Sequence, residues 1–234
     1  MYPDILIVLG KLQDGVAARV WRRLNRSILE NADAVIVISC DMEDVLSKHY
    51  DLTKTRPGKV VMIPNWADVE AIKPLEKSTN WFAQQHDQVT KTTVLYSGNM
   101  GNTHDIEGIL EVARLLENVP QIHFLFIGEG AKWSIVENAI NNDALKNVTL
   151  LPFQPENILP FSMTTGDIGL VPYLPGSEGC IVPSKSYYYM AAGVVPVIIS
   201  SQPTDLGEMV VSKKCGISVR SGDYELLADK IRLS

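Results

Sequence analysis

The residues best suited to chemistry lie in two clusters. The first is Ser97-Gly98-Asn99-Met100-Gly101, followed by His104. Glycine lets the backbone approach a bound group closely. A helix starting just beyond it offers unpaired N–H groups and a partial positive charge to an anion. His104, in the first turn of that helix, is placed to donate to a phosphate oxygen. A tight strand-to-helix turn beside a solvated histidine would carry the same residues, because glycine turns are common in such units. The second cluster runs from Glu178 to Gly193, E-G-C-I-V-P-S-K-S-Y-Y-Y-M-A-A-G. Pro183 fits a helix entry, with Ser184 and Lys185 in the first turn. A lysine there adds positive charge to a positive helix end, which makes sense if an anion binds; a solvated lysine is the plain alternative. Glu178 is a candidate acceptor for sugar hydroxyls, or an ordinary exposed loop carboxylate. Tyr187, Tyr188 and Tyr189 cannot all face inward, so at least one faces a cleft or solvent. Together the two clusters read as a nucleotide-sugar site.

A third group, Gly128-Glu129-Gly130, follows the apolar run Phe124–Ile127 and resembles the start of a dinucleotide fingerprint. Trp133 stands where the third glycine would be, so the signal is weak; a loop beside a nucleotide remains a fitting reading. Other chemistries lack support. There is no G-x-S-x-G, Walker A, H-E-x-x-H or C-x-x-C pattern. The histidines His49, His86, His104 and His123 show no ligand spacing, and no Asp-x-Asp pair sits in a strand-end loop. No metal and no organic cofactor is expected.

These residues need elements to hold them. Strand-like runs alternate with helical patterns almost throughout, which implies a parallel sheet with helices on both faces and ligands at the carboxyl ends of the strands. A helix over 16–31, a strand at 34–39, a helix over 41–50 and a strand at 59–63 come first. Residues 66–90 break the rhythm: they are polar, carry Pro74 and hold Gln84-Gln85-His86-Asp87-Gln88, the pattern of a linker. From Thr92 come strands at 93–97, 122–127, 147–151, 168–172, 195–199 and 216–219. Helices over 104–117, 132–142, 156–163, 184–192, 204–211 and 223–233 stand between and after them. The interesting loops are those after strands, 97–103, 128–131, 152–155, 172–183 and 200–203. Only two strands precede the polar segment, and two parallel strands do not make a stable sheet. The chain also stops inside a helical pattern, so a fragment of a longer two-domain protein is expected.

The 234 residues are 46% hydrophobic, ordinary for a chain with a real core, and carry a net charge of −6, which argues against nucleic acid as the main partner. No apolar run approaches the roughly 20 residues of a membrane helix, and no secretory signal pattern is present. Cys40, Cys180 and Cys215 are widely separated and odd in number, which favours reduced thiols in the cytoplasm over a disulfide framework. Arg19, Arg22, Arg23 and Arg26 fall on one helix face, with Val20, Trp21 and Leu24 opposite. That face is either solvated or a peripheral contact with the inner face of the plasma membrane.

As an ordered set the segments resemble the GT-B glycosyltransferases of the large retaining family 4, especially the bacterial capsule, O-antigen and exopolysaccharide branch. The matching segments are Ala32–Ser39, Ile63-Pro64-Asn65-Trp66-Ala67-Asp68, Tyr96–Gly101 with His104-Asp105, Phe126–Gly130, Asn147–Thr149, and Pro183-Ser184-Lys185 through Met190–Gly193. Part of the likeness is to transferases for UDP-linked amino sugars. The resemblance implies two Rossmann-like domains, with 1–65 the tail of an acceptor-side domain, 66–90 the linker and 91–234 a donor domain truncated at its end. It implies a UDP-sugar donor, a lipid-linked or polysaccharide acceptor, retention of configuration and no metal. Family members often place an arginine and a lysine where Asn99 and His104 stand. A family glutamate pair would fall near Cys180 and on Tyr188, and Glu178 replaces the first only if the loop shifts. Lys185 then becomes the main cation for the diphosphate. The donor-site expectation is Gly98, Asn99, Met100, Gly101, His104, Gly128, Gly130, Ser184 and Tyr188, with Lys185 and Glu178 in catalysis. A nucleotide-sugar-binding fragment without activity, and a 2-epimerase of the same architecture, are the competing readings.

Overall fold

In a computed structural model that describes residues 1–50, 58–142 and 145–233, the alternation becomes two parallel sheets. β1 (Val35–Val37) and β2 (Val60–Met62) pair with Val35 opposite Val60. The larger sheet holds β3 (Thr92–Ser97), β4 (Ile122–Ile127), β5 (Val148–Leu151), β6 (Ile168–Pro172), β7 (Val195–Ser200) and β8 (Ile217–Arg220). Their order is β5-β4-β3-β6-β7-β8, and each pairing is parallel. The chain builds to one side of β3, then returns to its other side with β6. Loops leaving β3 and β6 therefore diverge and leave a crevice at the carboxyl ends of the strands.

The strands form because both faces are apolar, as a buried parallel sheet requires. Val94, Tyr96, Phe124, Phe126, Leu170, Val197 and Ile199 pack into one core with the helices Ile106–Leu115 and Tyr224–Arg232. Leu95, Leu125, Ile127, Val171 and Ile198 face the other, against the helices Lys185–Ala191 and Asp205–Ser212. Each fully buried side chain of this size contributes about 1.5–3 kcal/mol. Helix starts are pinned locally. The Asp105 carboxylate accepts from the Gly108 N–H at 3.0 Å, and the Thr204 hydroxyl accepts from the Gly207 N–H at 3.1 Å.

The expected linker is not a free tether along its whole length. Ile72 is buried in the second core. Asn80 caps the short helix Trp81–Gln85, and its amide donates to the Phe161 carbonyl at 2.8 Å and to the Thr164 and Thr165 hydroxyls. Lys77 binds Asp167 and the Thr93 hydroxyl. Gln88, part of the glutamine-rich run, is buried and accepts from Thr93. The polar composition misled because these groups are satisfied inside the protein rather than by water.

The arginine face is also divided. Arg22 pairs with Asp4 at 2.8 Å and Asp14 at 2.7 Å, and Arg26 donates to the His49 carbonyl. Arg19 and Arg23 are exposed, and so is a row of Val16, Val20, Leu24 and Ile28 on the same helix. Where the smaller sheet meets the larger, Asp41 and Asp205 bond reciprocally. The Asp205 N–H donates to the Asp41 carboxylate at 2.9 Å, and the Asp41 N–H to the Asp205 carboxylate at 3.0 Å. Among the described residues no helix is long and apolar enough to cross a membrane.

Candidate functional site

The crevice at the β3–β6 seam holds a cavity of about 410 Å³. Gly98, Asn99, His104, Ser184, Lys185 and Tyr188, all singled out from sequence, line it. Ile127, Phe153, Gln154, Leu159, Ser162 and Met163 line it too. A larger hollow of about 620 Å³ beside Val211, Ser218 and Arg220 is open and gathers none of the site residues singled out from sequence.

Lys185 dominates the electrostatics. The residue is partly exposed, but its Nζ is closed off from solvent and has no hydrogen-bond partner. The ammonium instead sits 3.5 Å from the centroid of the Tyr96 ring. A cation over an aromatic face is attracted by the ring quadrupole, yet that replaces only part of its lost hydration. Burial holds the Lys185 pKa well below the usual lysine range. Gly98 stands directly alongside: with φ of +128°, a Cβ on it would lie 3.6 Å from Nζ.

The turn after β3 is differently disposed. Its Gly98 N–H donates to the Ile127 carbonyl at 2.8 Å and its Met100 N–H to the Glu129 carbonyl at 2.6 Å. These two N–H groups are taken up by the end of β4 and the loop that follows it, so they are not free for a phosphate. The Lys132 N–H bonds back to the Met100 carbonyl at 3.0 Å, and Lys132 Nζ reaches the His104 carbonyl at 2.7 Å and Glu107 at 2.6 Å. Gly128 explains the closeness: at φ +147° any Cβ on it would overlap the Gly98 carbonyl oxygen. Gly130 likewise leaves room for Asn99 and the Met100 carbonyl. Gly128, Gly130 and Gly101 do not line the cavity, and the Met100 side chain lies in the core. Their place in this structure is in holding the turn, outside the lining of the cavity.

Glu178 also changes role. Its carboxylate is buried and accepts from the Gly176 N–H at 2.8 Å, the Ser201 N–H at 2.7 Å and the Ser201 hydroxyl at 2.8 Å. It braces the loop that leads to Pro183 instead of facing a sugar. The tyrosine triplet divides as its spacing required. Tyr189 is buried and its hydroxyl accepts from the Ser97 N–H at 2.8 Å, whereas Tyr188 lines the cavity.

His104 is held by two neighbours. Its Nδ1 is 2.7 Å from the Tyr96 hydroxyl and 2.9 Å from the Asn99 carbonyl oxygen. Burial first, then the nearby Lys185 ammonium, lower its pKa to about 4. It is neutral at neutral pH, so it is not a second cation. Sequence reasoning passed over Tyr96 and Lys132, whose contacts join distant segments. It did mark the 152–155 loop that supplies Phe153 and Gln154. Among the described residues no three His, Cys, Asp or Glu side chains converge as metal ligands.

A six-stranded parallel sheet in this order, with a cavity at its seam, is a Rossmann-type α/β sheet, and its structural neighbours are GT-B glycosyltransferases. Solved structures share it. Sucrose-phosphate synthase from Thermosynechococcus elongatus aligns at a TM-score of 0.73 with 20% identity, covering 97% of this chain and 55% of that one. Anabaena HepE, solved with UDP-glucose, aligns at 0.71 with 16% identity, covering 92% and 58%. WaaG, a glycosyltransferase involved in lipopolysaccharide biosynthesis, aligns at 0.72 with 13% identity, covering 100% and 63%. The chain belongs to the glycosyl transferases group 1 family, whose model matches residues 91–233. Among curated proteins it is 28% identical to WbjE of Pseudomonas aeruginosa, named a probable glycosyltransferase, over 97% of this chain and 56% of that protein. It is 29% identical to WcaI of Escherichia coli (strain K12), whose name places it in colanic acid biosynthesis, over 86% and 48%. The chain spans about half the length of these relatives.

Proposed function

We propose that the protein acts in transfer of a sugar from a UDP-linked donor to a lipid-linked or growing polysaccharide acceptor in cell-surface polysaccharide synthesis. The observation that carries this reading is the sealed, unpartnered Lys185 ammonium at the cavity formed by Gly98, Asn99, His104 and Ser184. A buried cation without an anion costs several kcal/mol, and a bound diphosphate supplies the missing charge. When the bond from the anomeric carbon to the phosphate oxygen breaks, negative charge grows on the leaving nucleotide. A preorganised ammonium stabilises that charge as it develops. Phe153, Leu159 and Met163 offer an apolar surface for the base.

The finer reading follows the family resemblance. Residues 91–234 form the donor domain, residues 1–65 belong to an acceptor-side domain, and part of 66–90 joins them. Transfer proceeds with retention and without metal, in the cytoplasm. Contact with a membrane surface would rest on the exposed Arg19 and Arg23 beside Val20 and Leu24, since Arg22 and Arg26 are bonded elsewhere. Co-sedimentation with anionic vesicles decides this, and no dependence on anionic lipid ends it.

Calorimetry with UDP and UDP-sugars, run beside a transfer assay on the full-length protein, tests the main reading. Lys185→Ala is expected to cut both binding and transfer sharply, and unchanged turnover overturns the role of Lys185. Binding without turnover in the wild type supports a nucleotide-sugar-binding protein without activity. The 2-epimerase reading loses ground on one observation. It needs acid/base carboxylates in the cleft, and Glu178 is committed to Ser201 and Gly176.

A further inference from the structure

The proton count around His104 gives this residue a role different from that of a phosphate donor. The Asn99 carbonyl oxygen lies 2.7 Å from the Tyr96 hydroxyl oxygen and 2.9 Å from His104 Nδ1, and those two atoms are 2.7 Å apart. A carbonyl oxygen can only accept. Both contacts to it are attractive only if each neighbour brings a hydrogen. Tyr96 has one to give, so Nδ1 must carry its own. The opposite arrangement, with Tyr96 donating to a bare Nδ1, leaves the Asn99 oxygen pressed against two lone pairs at contact distance. Protonation of both ring nitrogens would also place a hydrogen on Nδ1. Burial first, then the Lys185 and Lys132 ammonium groups, oppose that extra charge.

The neutral ring therefore carries its hydrogen on Nδ1, and its lone pair on Nε2. No hydrogen-bond partner for Nε2 is found among the described residues, and His104 lines the cavity. We propose that His104, fixed as the Nδ1–H tautomer by the Asn99 carbonyl and Tyr96, is a hydrogen-bond acceptor that reads a hydroxyl of the bound nucleotide sugar, and so determines specificity. A phosphate oxygen is itself an acceptor and cannot satisfy a bare Nε2. The hydroxyl comes from the ribose or from the transferred sugar, and either is recognised by the same chemistry. This inference rests on the nucleotide-sugar reading of the cavity.

The test has one arm without ligand. Nitrogen-15 NMR of the histidine-labelled protein, with His104 assigned by its loss in His104→Asn, is expected to show Nδ1 protonated and Nε2 bare at neutral pH. A dominant Nε2–H tautomer overturns the inference. The second arm measures binding of UDP, 2′-deoxy-UDP and UDP-glucose to the wild type and to His104→Asn, which keeps a donor near the Nδ1 position and lacks Nε2. Loss of one hydrogen bond corresponds to a roughly three- to tenfold weaker Kd. That loss should appear only for ligands bearing the hydroxyl read. Loss confined to UDP-glucose assigns the transferred sugar; loss for UDP and UDP-glucose but not 2′-deoxy-UDP assigns the ribose. Equal loss for all three ligands, with proton uptake by His104 on binding, means a phosphate contact and overturns the inference. A wild type that binds none of them removes the nucleotide-sugar reading and the hydroxyl with it, while the NMR arm still decides the tautomer.

Discussion

The two walls of the cavity meet a ligand in different conditions. The turn after β3 is nearly self-satisfied: Gly98 bonds to the end of β4 and Met100 to the loop beyond it, His104 Nδ1 to Asn99, and Lys132 holds the His104 carbonyl. The wall after β6 ends in Lys185, whose buried Nζ has nothing to bond. One wall supplies shape, and the other supplies an unmet charge. On the proposed reading, the capacity to bind an anion sits where the fold has left a polar group unsatisfied, not where glycines are most frequent.

The strongest way to break this contrast is Lys185→Met. Removing this buried, unpartnered cation should weaken UDP binding about a hundredfold, in line with a lost charge-assisted contact, and should raise the melting temperature. The sign follows from linkage. The Lys185 pKa is depressed in the folded protein, so the unfolded chain takes the proton more readily and the charge favours unfolding. A variant that binds poorly and also melts lower would mean Lys185 is satisfied after all. Next is Gly128→Ala, which must move the Gly98 carbonyl and adopt a strained positive φ. It is expected to cost about 2 kcal/mol in denaturant unfolding, and it weakens UDP only through displacement of the turn.

The self-satisfied wall also makes a pH prediction. His104 has a pKa of about 4 when folded against an ordinary 6.5, so its contribution to stability is complete above 6.5 and is lost as pH falls toward 4. His104→Gln should flatten that part of the stability profile by on the order of 1–2 kcal/mol. An unchanged slope would place the proton elsewhere. The smallest effect belongs to Glu178→Gln, which keeps an acceptor and loses charge assistance. About 1 kcal/mol of stability should go, with UDP affinity nearly unchanged. A large affinity loss would return Glu178 to direct contact with the sugar.

Most of the larger sheet was readable because its strands are short apolar runs separated by helical periodicity, a local signal. Ile122–Ile127 and Val195–Ser200 needed nothing else. The packed part of 66–90 was not readable. Asn80 and Gln88 look like solvent-facing residues, and only their partners in Phe161, Thr164 and Thr93 show them to be interior. The site divided along the same line. Lys185 stood out because a lysine at a helix start runs against the helix dipole, which is visible in sequence. Tyr96 did not, because its ring meets Lys185 and its hydroxyl meets His104 across separate segments. Glu178 was misjudged for a related reason: the donors it serves include Ser201, well removed along the chain.

The reciprocal bonds of Asp41 and Asp205 have a kinetic consequence. Each aspartate gives its carboxylate to the other and receives an N–H in return. Loss of either bond slackens the geometry on which the second depends, so the pair tends to release together. Motion of the smaller sheet against the larger would then have to break both bonds, not one.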